Sequence, residues 1–399
     1  MRIYNQLILL LLAITLFACD ATMKNVPEKY IQRVETALNK AGENKQELKK
    51  ALKEISVEQK EGLAFLIAYM PERDLKELKA DFLLENVDWA YKVRNEFVWC
   101  KNLPDSIFLN EVLPYASLNE RRDNWRKDFY EKFMPIVSQA KNMREAIDLV
   151  NKNIKSIVDV EYNTKREKPD QSPYESMRQH MASCSGLSIL LTDAFRSVGI
   201  PSRIAGTPLW TNMRGNHNWC EVWIDGQWYF TEYYPDKLDH SWFLSDAGKA
   251  DPEKPVHWIY ASSFKETDTH FPLVWDENIK YVYAENVTDR YIRIYQEQLT
   301  QNGLNDDELI VNVMLLKANV CTQDGNQRVA SKVEVVNGEK SVSFGYTPGP
   351  TDDMNKFLKF KLKKNTDYVF KFDVAGKEVT HKYNTGDKSG ELLKLYQES

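Results

Sequence analysis

The sequence is short of the features that settle a protein's class by composition. Cysteine is scarce, with five in 399 residues, and the spacing outlines no disulfide framework. That argues against a small scaffold stapled by disulfides. No basic stripe is present: 53 Lys and Arg are mixed with 58 Asp and Glu, for a net charge of −5. A nucleic acid is therefore not an expected partner. Beyond the first twenty residues no apolar run is long enough to span a membrane. There is no internal repeat, no long low-complexity segment and no EF-hand-like loop, so neither a solenoid nor calcium binding is indicated. The length suggests two or three domains with sizeable cores.

What is present is one cysteine at the start of a predicted helix. In Ser183-Cys184-Ser185-Gly186 and the run that follows, Leu187, Ile189, Leu190, Leu191, Ala194, Phe195 and Val198 include the i, i+3, i+4 and i+7 relations of a buried helix. Ser183 or Ser185 can cap its start, and Gly199 with Pro201 ends it. Cys184 then sits where unpaired N–H groups and the helix dipole favour a thiolate and can hold an oxyanion. The plainer reading is a buried, inert thiol.

A histidine follows on a predicted strand, His217 to Ile224. Trp219, Glu221 and Trp223 share its face, and Cys220, Val222 and Ile224 share the other. Asp225-Gly226 is a hairpin turn signal, and Gln227 to Tyr234 is the returning strand. In that register Ile224 opposes Gln227 and His217 opposes Tyr234. Glu232 becomes a diagonal neighbour of His217 on the same face, within reach of its second nitrogen. The plainer reading is a core His beside a solvated Glu. A zinc reading rests on His180-x-x-x-Cys184 and His217-x-x-Cys220. Strand residues three apart point to opposite faces, so His217 and Cys220 should not converge and no metal is expected.

These motifs together resemble the transglutaminase-like superfamily of papain-like thiol enzymes. The matching residues are Ser183-Cys184-Ser185-Gly186, His217-Asn218-Trp219-Cys220-Glu221-Val222, Gly226-Gln227-Trp228 and Glu232-Tyr233-Tyr234-Pro235. The resemblance implies Cys184 as nucleophile, His217 as general base and then acid, and Glu232 in the third position. The family usually has Asp there, and Asp236 and Asp239 are alternative partners. Papain-like enzymes often place a glutamine amide ahead of the Cys; Gln171 and Gln179 precede it here, and a solvated loop residue is the favoured reading of each. The implied activity is thiol hydrolysis of peptide or other amide bonds through an acyl-enzyme. The alternatives are acyl transfer to an amine, or a catalytically degenerate binding or scaffolding protein. No cofactor is required.

The N-terminus carries Arg2 and an apolar run from Leu7 to Leu16, ending in Leu16-Phe17-Ala18-Cys19. It reads as a signal peptide rather than a spanning helix. Leu-x-Ala-Cys resembles the bacterial lipobox. That implies cleavage before Cys19, a lipid on its thiol, export, and attachment to a membrane on the periplasmic face or cell surface. The expected partners are thus a peptide or protein substrate and, through the lipid, a membrane.

The expected fold class is α+β, in four parts: signal 1–19, a helical region 20–97, a papain-like, transglutaminase-like core 98–277 and a β-sandwich 278–399. Leu48, Ala51, Leu52 and Ile55 form a helical stripe, with a break at Met70-Pro71. The helical region is a spacer or a platform for the core. Residues 141–158 show a second stripe, from Ala146 and Ile147 to Val150, Ile154 and Val158. Residues 162–181 are expected as a polar loop. Seven of the ten Trp lie between Trp210 and Trp275, read mostly as core around the His hairpin rather than as a substrate cleft. From about Asn278, strands are expected at 309–316, 331–336, 340–346, 357–363, 368–374 and 378–383, with turns at Asn337-Gly338 and Ala375-Gly376.

Overall fold

The computed structural model describes residues 22–234, 237–301, 304–318, 327–352, 356–374 and 376–397. The Leu16–Cys19 motif, Asp236 and Cys321 lie outside the described residues. Among those residues no helix is long and apolar enough to cross a membrane.

The N-terminal region is helical, with α1 (Glu28–Lys40), α2 (Lys45–Glu54), α3 (Lys60–Tyr69) and α4 (Ala80–Glu96). The chain leaves α3 at Met70 in an extended conformation, because Pro71 disfavours a helical residue before it. These helices are a platform rather than a spacer. Val34, Leu48, Leu63, Leu83 and Val93 share one buried cluster with Leu190, Phe195, Cys220 and Val222 far along the chain.

Next come α5 (Arg126–Val137) and α6 (Met143–Val158). All five residues of the predicted stripe on α6 are buried. The segment 162–181 is not simply a loop. It contains α7 (Pro173–Gln179), started by a capping box in which Ser172 accepts the Glu175 N–H and the Glu175 carboxylate accepts the Ser172 N–H. The Ser-Pro-x-Glu pattern outweighs the polarity of the segment, since Pro173 stands where a helix tolerates proline.

The predicted cysteine helix is α8 (Cys184–Ser197). It ends at Gly199, which takes φ +73°. A six-stranded antiparallel sheet packs on α8. It contains β1 (Ser202–Thr207), β2 (His217–Ile224), β3 (Gln227–Thr231), β4 (Tyr260–Ser263), β5 (Thr269–His270) and β6 (Tyr283–Asn286), in the order β3-β2-β1-β4-β6-β5. Asp225 and Gly226 both adopt positive φ in a two-residue turn, and Ile224 pairs with Gln227 as the hairpin requires. The far face of the sheet is covered by α9 (Leu244–Ala247) and α10 (Thr288–Gln301).

The strand expectation from Asn278 needs correction at α10. Tyr291, Ile294 and Tyr295 have helical spacing and pack with Trp219, Phe230 and Phe243, and β6 belongs to the central sheet. Beyond it two sheets enclose a separate core. One has β7 (Glu308–Leu316) at its centre, with β10 (Leu358–Lys363) antiparallel and β13 (Glu391–Tyr396) parallel to it. The other runs β9-β8-β11-β12, from β8 (Lys332–Asn337), β9 (Lys340–Tyr346), β11 (Asp367–Val374) and β12 (Lys377–Asn384). Val311, Leu315, Val335, Phe360, Phe370 and Leu395 fill the space between them. The first hairpin turn is Gly338-Glu339, one residue later than expected, because Asn337 pairs with Lys340.

Gly199 also permits a close approach. A Cβ there would fall 2.8 Å from Cys100 Cβ and 2.9 Å from its Sγ. Gly199→Ala should therefore destabilise the core by about 2 kcal/mol, combining left-handed strain with overpacking. Denaturant unfolding followed by tryptophan fluorescence measures this; an unchanged midpoint refutes it.

Candidate active site

Ser183 caps α8. Its Oγ accepts the Gly186 N–H at 3.1 Å and donates to the Pro169 carbonyl. The cap makes Cys184 the first residue of the helix. Cys184 is partly exposed, whereas Cys100 and Cys220 are buried. Alongside runs the start of β2, where Asn218 Nδ2 donates to Ser185 Oγ at 2.7 Å. That bond ties the residue after His217 to the residue after Cys184.

The β2–β3 ladder ends with Cys220 opposite Thr231, so Glu232 has just left the sheet. Its side chain turns to His217, whose Nε2 lies 2.8 Å from Oε1. An ionised carboxylate only accepts, so Nε2 carries the proton of that bond. Ser241 donates to the other oxygen, Oε2. Asn151 of α6 fixes the backbone there, donating to the Glu232 carbonyl at 2.8 Å and accepting from Thr231 Oγ1 at 3.2 Å. The Trp242 ring packs on His217 at 4.8 Å between centroids, and Phe243 at 5.4 Å. Cys184, His217, Glu232, Ser241 and Trp242 all line one cleft of about 420 Å³.

Residues 134–233 match the Transglutaminase-like superfamily. This part of the chain is a transglutaminase-like superfamily domain. Solved structures similar to the chain include a candidate cysteine protease from Cytophaga hutchinsonii, 16% identical, covering 35% of this chain and 47% of that one with a TM-score of 0.27. The red sea bream transglutaminase is 10% identical, with 66% of this chain and 58% of that one covered and a TM-score of 0.27. The Bacillus anthracis TIE protein is 15% identical, with 49% and 30% covered and a TM-score of 0.17. The chain spans about half the length of the first two, at 47% and 58%. No curated protein matches it.

Other sequence candidates of the transglutaminase-like domain lie away from the cleft. Gln171 is buried rather than solvated, and its amide donates to the Met181 carbonyl at 3.0 Å. The capped turn before α7 draws it inward. Gln179 is partly buried and its Oε1 accepts the Glu167 N–H. Asp239 accepts the Phe230 N–H at 2.8 Å, and burial pushes its carboxyl up to about 6. Cys220 turns to α8, donating to the Ser188 carbonyl and meeting Thr192 Oγ1, both at 3.3 Å. It diverges from His217, and among the described residues no group of three or more His, Cys, Asp or Glu side chains could hold a metal.

Two motif residues prove structural. Trp219 Nε1 donates to Tyr291 Oη, and Tyr291 Oη donates to Glu221 Oε1, each at 2.6 Å. Glu221 also pairs with Arg203 at 2.8 Å and with Arg290, fully out of solvent. Of the seven Trp between Trp210 and Trp275 only Trp210 and Trp219 are fully in the core; the other five are half-buried, and Trp219 and Trp242 both line the cleft. No motif marks Asn151, Ser241 or Trp242, because each reaches Glu232 or His217 only through the tertiary fold.

Burial pushes the thiols of Cys100 and Cys220 up to about 12. Iodoacetamide at neutral pH should therefore label Cys184 at least about tenfold faster than either in the folded protein, with the difference lost in denaturant. Peptide mass spectrometry reads this, and equal native rates at the three sites contradict it.

Proposed function

We propose that the protein is an exported, lipid-anchored thiol hydrolase that cleaves peptide or other amide bonds through a Cys184 acyl-enzyme. The supporting observation is the His217–Glu232 hydrogen bond inside a cleft that Cys184 also lines. A carboxylate on Nε2–H fixes the tautomer, leaving Nδ1 as the base, and stabilises the imidazolium that forms. Lipid anchoring rests on the Leu16-Phe17-Ala18-Cys19 motif alone.

The chemistry follows from those roles. His217 Nδ1 takes the thiol proton while Cys184 Sγ bonds to the carbonyl carbon. The negative oxygen of the tetrahedral adduct faces the helix start. There Ser183 already accepts the Gly186 N–H, and its carbonyl accepts that of Leu187, so the Cys184 and Ser185 amides are the donors assigned to the oxyanion. Nδ1–H then protonates the leaving amine as the C–N bond breaks. A water, deprotonated by Nδ1, attacks the thioester and releases the acid and the thiol.

A library of peptides and amides tests the reading, with products followed by mass spectrometry. Cys184→Ala should abolish turnover. Glu232→Gln should lower kcat roughly a hundredfold or more, because the amide still bonds the ring but no longer stabilises the imidazolium. Isotope-labelled primary amine added to the same assay separates hydrolysis from transfer. Turnover unchanged in Cys184→Ala would sink the Cys184 acyl-enzyme reading.

A further inference from the structure

The C-terminal sandwich reaches the cleft. Thr351, Asp352 and Lys356, just ahead of β10, line it together with Cys184 and His217. β10 is one of the two edge strands of its sheet, and its Lys359 reaches out of the sandwich. Lys359 Nζ donates to the Trp242 carbonyl and, at 3.2 Å, to Ser245 Oγ. Two further contacts cross the same junction. Lys249 Nζ donates to the Ser389 carbonyl at 2.9 Å, and the Arg214 guanidinium lies 3.9 Å over the Phe357 ring.

The ammonium stands in an unfavourable place. Asp246, the nearby carboxylate, is already engaged by Arg214 at 2.6 Å and Asn212 at 3.0 Å. Burial, together with Arg214 and Lys249, pulls Lys359 down to about 8 despite Asp246. An apolar side chain would seal such a junction without a desolvation cost. What the ammonium adds is directional bonding to the segment Ser241–Ser245. That segment holds both partners of the site: Ser241 binds Glu232, and Trp242 and Phe243 pack on His217.

We propose that Lys359 is a positioning residue for the reaction: by binding the Trp242 carbonyl, it sets the clamp that aims His217 and Glu232 at Cys184. This rests on the thiol-enzyme reading above. It makes the sandwich a working part of the active site rather than an appended module.

The test is the pH profile of Cys184 alkylation by iodoacetamide in the full chain, for wild type, His217→Ala, Lys359→Met and Lys359→Arg. Lys359→Met keeps the length of the stem and removes the donor. It should lower the neutral-pH rate about tenfold and move the profile toward that of His217→Ala, with the thermal midpoint nearly unchanged. Lys359→Arg should restore the rate to within about threefold, since a guanidinium can reach the same carbonyl. A wild-type profile in Lys359→Met, with a shifted one in His217→Ala, overturns the positioning role and leaves the enzyme reading standing. A profile that ignores His217 overturns both. If Lys359→Met does not fold, Lys359→Gln takes its place, its shorter stem withdrawing the donor from the Trp242 carbonyl; a wild-type profile in that variant overturns the proposal.

Discussion

Everything in the site depends on a helix buried along almost its whole length. Every side chain of α8 from Ser185 to Ser197 is buried, including Thr192, Asp193 and Arg196. A helix with no wet face needs partners for its polar groups from within. The Asp193 carboxylate has no hydrogen-bond partner among the described residues, and burial pushes it toward its neutral form. Arg196 has its partners, donating to the carbonyls of Glu111, Ser202 and Ala116, each at 3.1 Å. Arg126 donates to the carbonyls of Arg196, Val112, Leu113 and Pro114. The two guanidiniums thereby hold the end of the π-helical turn Phe108–Val112 and the irregular chain that follows it. The N-terminal platform, α5 and the sheet can all press on α8 because these bonds replace water. Only its first turn opens to a cleft, and Cys184 is there.

The same packing sets the histidine. Asn218, Cys220 and Val222 lie on the face of β2 that meets α8, and the first two bond to Ser185, Ser188 and Thr192. His217, Trp219 and Glu221 lie on the opposite face, over the aromatic cluster beneath α9 and α10. Because the sheet is covered on both sides, a slip of one residue would bury the wrong set on each face. Register is therefore strongly specified. The distance from helix start to strand start follows from it, and the Asn218–Ser185 bond holds it.

The helices and strands were legible where one face alone decides them. The α6 stripe, the cysteine helix with its stop at Gly199, the Asp225-Gly226 hairpin and six strands of the sandwich all follow local periodicity and turn chemistry. What escaped is tertiary. The α10 segment has charged and polar residues between its tyrosines, so its apolar face becomes visible only once Trp219 and Phe243 stand opposite. Gln171 lies in polar sequence yet is buried, because the Ser172 cap folds the chain back on α8. Asn151 sits within a stripe of apolar neighbours and gives no hint that its amide holds residues 231 and 232. The β13 strand, parallel to β7, closes a sheet across a long stretch of sequence, which turn signals cannot reveal.

The glutamate at position 232 has a physical account in this geometry. Had the ladder continued one pair beyond Cys220–Thr231, residue 232 would stand opposite Trp219, leaving His217 on the diagonal. A diagonal neighbour is about 7–8 Å away between backbones, a span that favours the longer carboxylate side chain. Length alone would leave such a side chain with more rotamers to lose. The fold limits them at both ends: Asn151 binds the Glu232 carbonyl and the Thr231 hydroxyl, and Ser241 binds the carboxylate oxygen that His217 does not. The extra methylene and the Ser241 bond belong together, since reach without the second bond would leave the carboxylate free to swing from the imidazole. Ser241 begins the segment that Lys359 holds, so the departure from aspartate and the docking of the sandwich are two parts of one arrangement.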